Sequence, residues 1–376
     1  MISNRIFVAA VAMLAWIAAG AQKRLTMQEC IDMAVKNNYG IRAAEGEVEK
    51  SQLMQGSAWD LDKTSFSLKQ DPTSGGSPDN SLTLSQSFDF PTVYALRRRS
   101  LKAETAVAKS RAGLSRKQLS AEVANAYGQM VFVIEKKRIL AEQDTIIGKY
   151  LHLATVRYMA GEARQLEKLT ASRMRSENRM ELEKTDAEYR ALKQKMRELL
   201  NTDEDIAPAD EQQKPLTYEE AGSIDFASTA EGEYYSKALD MGNRKVSEAK
   251  SGYLPNFSVG LSTQMVFKGW NPYHVDRSRF GKGDFMGFEV GVGLPLFFGS
   301  TRAKVKAARK DREITELYGR QSMQRMQTEY DIQKGNYLAA RKRMDYYTGE
   351  GLAEAREMAR IAQVSYENGD IGYVEY

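Results

Sequence analysis

Residues 81–90 alternate strictly, with Leu82, Leu84, Phe88 and Phe90 on one face and Ser81, Thr83, Ser85, Ser87 and Asp89 on the other. Just upstream, Phe66 and Leu68 alternate with Ser65, Ser67 and Lys69, and residues 71–80 between them carry Gly75-Gly76 and two prolines. That order predicts strand, turn-rich loop, strand. A second pair follows much later. Phe257, Val259, Leu261, Met265 and Phe267 alternate with Ser258, Gly260, Ser262, Gln264 and Val266. After a loop rich in glycine and aromatics, Met286, Phe288, Val290, Val292, Leu294 and Leu296 alternate with Gly287, Glu289, Gly291 and Gly293. Each strand has about the length that crosses a bilayer when tilted, with one apolar face and one small or polar face, as transmembrane β-strands have. A half-buried strand of a soluble sheet shows the same alternation. The chain offers no further strand segments from which a soluble sandwich could be built, which favours the barrel.

Between the strand pairs the period changes. Residues 92–157 contain no proline and only three glycines. Leu119, Val123, Ala126, Met130, Val133, Leu140, Ile147, Leu151, Ala154 and Tyr158 fall at steps of three, four and seven, a coiled-coil seam. Roughly 65 helical residues reach on the order of 100 Å. Gly161 then predicts a tight hairpin, because glycine takes the left-handed conformation such a turn needs. A return helix is expected over 165–200. Residues 300–366 repeat the long helix, with Gly369 at the matching turn. Lys184, Asp186, Glu188 and Arg190 read as solvated faces and inter-helix pairs.

The chain repeats itself. Tyr158-Met159-Ala160-Gly161-Glu162 is matched by Tyr366-Glu367-Asn368-Gly369-Asp370, and Phe90-Pro91-Thr92 by Phe298-Gly299-Ser300, both 208 residues apart. Two landmarks in one register argue for internal duplication. The expected organisation is a first repeat over 22–200 (helix, strand pair, long helical hairpin), a connecting segment at the equator over 201–234, and a second repeat over 235–376. At the same offset the last return helix would run to about residue 408. The expectation is a fragment, or a natural product lacking one strut.

Composition narrows the class further. A hydrophobic fraction of 42% with 28% charged residues excludes general disorder. The surplus of 54 basic over 50 acidic residues is too small and scattered for nucleic acid. The lone Cys30 excludes an intrachain disulfide. At the start, Arg5, the apolar run over 6–17 and Ala19-Gly20-Ala21 predict a signal peptide over 1–21, leaving Gln22 first. The run is short of the ~20 residues of a spanning helix. No later stretch is apolar enough for one, so membrane residence requires strands.

Candidate chemistry is sparse. His152 falls in the helical seam region and His274 in the inter-strand loop, neither with a partner at metal-ligand or triad spacing. His274, beside Tyr273 and Asp276, reads as an exposed loop residue. Gly287, Gly291 and Gly293 lie within an alternating strand rather than between a strand and a helix, so close approach in a curved sheet or a bulge explains them better than a phosphate loop. The 17 methionines are mostly on helical segments, where they pack as flexible core residues. No enzyme, cofactor or metal site is expected.

Several of these segments, taken in order, resemble the TolC family of outer-membrane efflux proteins. Leu25-Thr26-Met27-Gln28-Glu29-Cys30-Ile31-Asp32-Met33-Ala34 followed by Asn37-Asn38 is similar to that family's opening helix, with Tyr39 where proline is frequent. Tyr253-Leu254-Pro255-Asn256-Phe257 and Leu294-Pro295-Leu296-Phe297-Phe298-Gly299 resemble the segments flanking its second strand pair. With the two tip signatures they cover nearly the whole mature chain. The resemblance implies an α+β chain, mostly α. Long antiparallel coiled-coil helices form an α-helical periplasmic barrel, and four transmembrane β-strands contribute to a trimeric β-barrel. It implies a homotrimer in outer-membrane lipid of a Gram-negative bacterium, a passive duct for small solutes such as drugs or metal ions. A periplasmic adaptor (membrane fusion protein) and an inner-membrane efflux pump would be its partners. Adaptor contact is expected at the hairpin tips, at Tyr158, Gly161, Leu166, Tyr366, Gly369 and Asp370. Glu375 stands where the family narrows its tunnel, either as an aperture carboxylate or as an ordinary helix-face glutamate. Oligomerisation has a separate warrant: four strands cannot close, and an open edge in lipid leaves backbone groups unsatisfied. The rival readings are a periplasmic adaptor, which carries one hairpin rather than two, and a structural coiled coil, which leaves the strands unexplained.

Overall fold

A computed structural model of the chain describes residues 23–72, 78–213, 224–264 and 286–371. The signal-peptide segment 1–21, residues 265–267 of the third strand, His274 and Glu375 lie outside the described residues. The chain divides into two compact units, each assembled from separated stretches. One is Met1–Ala43, Ser115–Ile224 and Arg325–Tyr376; the other is Ala44–Leu114 and Asp225–Gln324.

In the first unit, strand β1 (Lys23–Leu25) pairs in parallel with a short strand, Ile206–Pro208. Helix α1 (Met27–Asn37) opens on a capping box: the Glu29 amide donates to Thr26 Oγ1 (3.3 Å) and the Thr26 amide to Glu29 Oε2 (2.8 Å). Two otherwise orphaned donors are thereby satisfied, which is the physical content of the Leu-Thr-x-x-Glu motif. The Thr26 amide, and then the Thr26 hydroxyl (2.9 Å), donate to the Glu29 carboxyl and hold it below its ordinary range. At the other end Asn38 leaves the helix in extended conformation. It accepts from the Gly40 amide (2.8 Å) through Oδ1 and donates to the Leu199 carbonyl (3.1 Å) through Nδ2. The Asn-Asn pair thus pins α1 and the next helix, α2 (Tyr39–Met54), to the far end of the hairpin's return helix.

The hairpin is α3 (Pro91–Met159) with α4 (Gln165–Leu200). Leu119, Val123, Ala126 and Met130 of α3 are buried in one core with Cys30, Ala34 and Ile41 and with Met196, Leu199 and Leu200 of α4, and Val133 is buried beyond it. Cys30 has no exposed surface, and burial pushes its thiol up to about 11. Tyr127 crosses to Asp210 (2.7 Å) and is raised to about 12, first by burial and then by that bond. α4 ends on Asn201 at φ 49°, a left-handed cap that turns the chain back toward β4, the Ile206–Pro208 strand.

The seam changes character beyond Val133. Leu140, Ile147 and Leu151 are half-buried, Ala154 is buried, and Tyr158 and His152 are exposed. Polar contacts take over. Asn178 donates to the Leu140 carbonyl (3.0 Å), and Lys136–Glu181 (2.8 Å), Lys137–Asp186 (2.6 Å) and Asp144–Arg175 (3.3 Å) pair across the hairpin.

In the second unit α5 (Ala230–Lys250) leads to β5 (Asn256–Gln264) and β6 (Met286–Gly293), which join β2 (Ser65–Pro72) and β3 (Pro78–Asp89) in an antiparallel sheet of order β2-β3-β5-β6. Two departures from the sequence reading occur after it. The alternation through Leu294 and Leu296 does not continue the strand, which stops at Gly293. The partner strand β5 begins at Asn256, opposite Gly293, and Pro255 and Pro295 just beyond that pair have no amide with which to extend the ladder. The last long helix is also not continuous. α6 (Gly299–Tyr346) gives way to a wide helical turn, Tyr347–Gly351, before α7 (Leu352–Asn368). A Cβ on Gly351 would lie 2.7 Å from the Tyr346 ring, so a larger residue there would have to push that exposed ring aside.

Candidate functional site

The sheet's register sorts the side chains by face. Phe66, Leu84, Leu261 and Phe288 are direct neighbours across all four strands. Phe88, Phe257 and Val292 form a parallel row, as do Leu68, Leu82 and Thr263. Phe288 is 81% exposed, and Phe66, Leu68, Val290 and Val292 are also exposed. A row of this kind facing water is unlike the surface of a soluble protein. The opposite face carries Ser65, Ser85, Gly260 and Glu289 in one row and Ser67, Thr83, Ser262 and Gly287 in another.

The glycines of β6 have a steric reason. A Cβ on Gly287 would approach Ser262 Oγ to 2.9 Å, and one on Gly291 or Gly293 would collide with Ser258 Oγ or Asn256 Oδ1. A side chain at these positions would have to displace those hydroxyl and amide ends, so close approach on the polar face favours glycine there. Glu289 stands among them as an exposed carboxylate on the polar face.

The hairpin tips are the second surface. After α3 the Gly161 amide donates to the Tyr158 carbonyl (3.1 Å) and the Glu162 amide to the Arg157 carbonyl (2.9 Å), with Gly161 at φ 78°. Leu166 is 66% exposed, Met159 more so, and Tyr158 lies under the Lys168 ammonium (5.5 Å). After α7 the Asp370 amide donates to the Ser365 carbonyl (2.9 Å), and Gly369 turns the chain at φ 81°. The two turns are conformational copies, and Gly369 and Asp370 are exposed. Tyr366 is different. It is 2% exposed, with the Arg157 guanidinium 5.3 Å over its ring and Tyr150 edge-on at 6.4 Å. It offers no surface to a partner; it joins the end of α7 to the α3–α4 tip instead. The sequence contains Arg157 beside one signature and Tyr366 within the other, but nothing in their spacing says that they meet.

Charge holds the hairpin behind the tip. The Asp144 carboxyl is kept below the ordinary carboxylate range, first by the Arg175 hydrogen bond and then by Arg179. A carboxyl depressed on folding contributes stability above its unfolded pKa and loses it as pH falls through the folded one. Asp144→Asn is expected to cost about 0.5 kcal/mol at neutral pH, after discounting for solvent screening. It should also flatten the acid side of a melting-temperature profile below about pH 4. An unchanged acid limb would show that the pair carries no net stability.

Elsewhere a groove of about 440 Å³ is lined by Val133, Tyr189, Ala207, Pro208, Lys137 and Asp210. Among the described residues no group of His, Cys, Asp and Glu has the geometry to hold a metal, and no helix is long and apolar enough to cross a membrane.

No protein-family model and no curated protein sequence matches the chain. Solved structures do. The outer-membrane channel OprN superposes with a TM-score of 0.76 at 15% identity, covering 95% of this chain and 86% of that one. CusC, whose structures describe folding and transmembrane channel formation, gives 0.75 at 15% identity over 95% and 85%. The outer membrane protein VceC of Vibrio cholerae gives 0.72 at 16% over 93% and 87%. The four-stranded sheet, the paired helical tips and these superpositions agree: the chain has the TolC-like fold of solved outer-membrane channels.

Proposed function

We propose that the chain is a protomer of an outer-membrane duct, a passive conduit for small solutes such as drugs or metal ions, energised by an inner-membrane pump. The observation that carries the proposal is the apolar row Phe66, Leu84, Leu261, Phe288, exposed on a sheet whose outer edges, along β2 and β6, are unpaired among the described residues. Lipid would cover the row, and the edges of neighbouring copies would pair, closing a barrel that one chain cannot close. Three copies in a head-to-tail ring satisfy this with no free edge.

Two repeats, 22–200 and 235–376 with 201–234 between them, supply the matched strand pairs and tips. The exposed tip residues Tyr158, Gly161, Leu166, Gly369 and Asp370 are the natural contact for a periplasmic adaptor, whereas Tyr366 would act from beneath them. The purified protein is expected to need detergent, to run as a trimer by mass, and to give discrete conductance steps in planar bilayers. A monomer that stays soluble without detergent would overturn the reading.

A further inference from the structure

We propose that exposed cations on the first turns of α3 and α6 bind the phosphates of anionic lipid headgroups at the rim of the membrane that holds the sheet. The inference rests on the membrane reading of the sheet and adds a partner chemistry to it.

Leaving β3, the chain passes from Phe88 and Phe90 to Tyr94, stacked on Trp59 at 5.3 Å, and then to Arg97, Arg98, Arg99 and Lys102. Leaving β6, it passes from Val290 and Val292 to an exposed collar of Leu294, Leu296, Phe297 (93% exposed) and Phe298. Arg302, Lys304, Lys306, Arg309 and Lys310 follow. Apolar wall, aromatic side chains and basic turns thus succeed one another twice, with the aromatics exposed after β6 and, Trp59 apart, half-buried or buried after β3; this is the order found where protein crosses from hydrocarbon through interface to headgroups. At 1.5 Å per residue, Arg302 to Lys310 lie about 5 to 17 Å past the start of α6, within reach of a headgroup layer.

The charge is not explained by the protein itself. Neither helix has an acidic residue in its first turn, so no carboxylate of the helix itself precedes the cations. The first carboxylates, Glu104 and Asp311, come after the basic runs, and Glu104 is taken by Lys245 (3.0 Å). Arg97 uses Asp89 (3.4 Å) and Lys310 uses Glu313 (2.6 Å). Arg98, Arg99, Lys102, Arg302, Lys304 and Lys306 are exposed, and among the described residues none of them has an ion-pair partner. Asp60 and Asp62, on the approach to β2, offset only part of the surplus. The pairs Arg98/Lys102 and Lys306/Lys310 each stand four apart, so each shares one helix flank, and they lie 208 residues from one another. Both copies of the repeat present the same two cations. A sheet of lipid phosphates is the anionic surface that such a ring would meet.

The test uses the full chain in nonionic micelles doped with phosphatidylglycerol or with phosphatidylcholine, with retained lipid phosphorus measured after washing. Wild type is expected to retain phosphatidylglycerol preferentially and to lose that preference in 0.5 M salt as charges are screened (about a 4 Å Debye length). The quadruple variant Arg98→Gln, Lys102→Gln, Lys306→Gln, Lys310→Gln should lower the ratio about tenfold. Arg98→Lys, Lys102→Arg, Lys306→Arg, Lys310→Arg should keep it. Equal retention of both lipids by wild type, or a salt-independent ratio, overturns the proposal. So does a glutamine variant that keeps the lipid ratio but changes the anion preference of its conductance, which would place the cations in the channel lumen. Failure of wild type to enter any micelle or vesicle would instead sink the membrane reading itself, and this inference with it.

Discussion

On the proposed duct reading, Leu261→Arg is expected to remove the protein from the outer-membrane fraction and abolish its oligomer band on unheated gels. Leu261 sits in the middle of β5, between Leu84 and Phe288, on the face that carries no charge in any of its four described strands. An arginine at the midplane of a barrel's lipid face costs about 2–4 kcal/mol, and a ring of copies meets that cost once per protomer. Ser67→Arg, on the polar face of β2, is the matched control and should leave the membrane fraction nearly unchanged. Equal loss in both variants would mean that strand integrity, not lipid contact, is being read. No loss in either would mean that the apolar row faces protein.

The sequence alone carries this face assignment because side chains on a strand alternate with period two, so Leu82, Leu84 and Phe88 declare their face without tertiary information. It also carries the capping box at Thr26 and Glu29 and the turns at Gly161 and Gly369, where one residue's chemistry decides the local backbone. What it does not carry depends on residues far apart. The alternation through Leu294 and Leu296 is real as a pattern, but the ladder ends at Gly293, where the partner strand begins and Pro255 and Pro295 lie just beyond, and alternation reports side-chain polarity rather than hydrogen bonding. The seam from Leu119 to Tyr158 has one period throughout, yet the structure buries its first half and half-exposes much of its second. The opening helix and the Ile206–Pro208 strand cover only the first half. The division into two compact units, each drawn from distant stretches, could not be read from a linear repeat. Of the tip residues, the turn positions were legible. The burial of Tyr366 was not, since it requires Arg157 and Tyr150 from more than two hundred residues upstream.

Tyr366 is for the same reason the most informative residue at the tips. Its ring fills the space beside Tyr150 and lies under the Arg157 guanidinium at 5.3 Å, one turn before the Gly369 cap. Truncating a buried aromatic to alanine costs about 3–5 kcal/mol, and up to about 2 kcal/mol belongs to a desolvated cation–π contact. Because the contact joins the end of α7 to the α3–α4 hairpin, its loss should be local. Tyr366→Ala is expected to speed amide exchange in residues 352–371 and 150–162 by roughly a hundredfold, with little change in the Cys30 core. Arg157→Gln, which removes only the cation, should speed exchange there about tenfold, and Tyr366→Phe, which keeps the ring, less than that. If the tips gate a duct, single-channel conductance will rise in the same order: Phe least, then Arg157→Gln, then Ala. Faster exchange with unchanged conductance would leave Tyr366 as packing alone. Exchange unchanged in the alanine variant would show that the two tips are held together by something other than this ring.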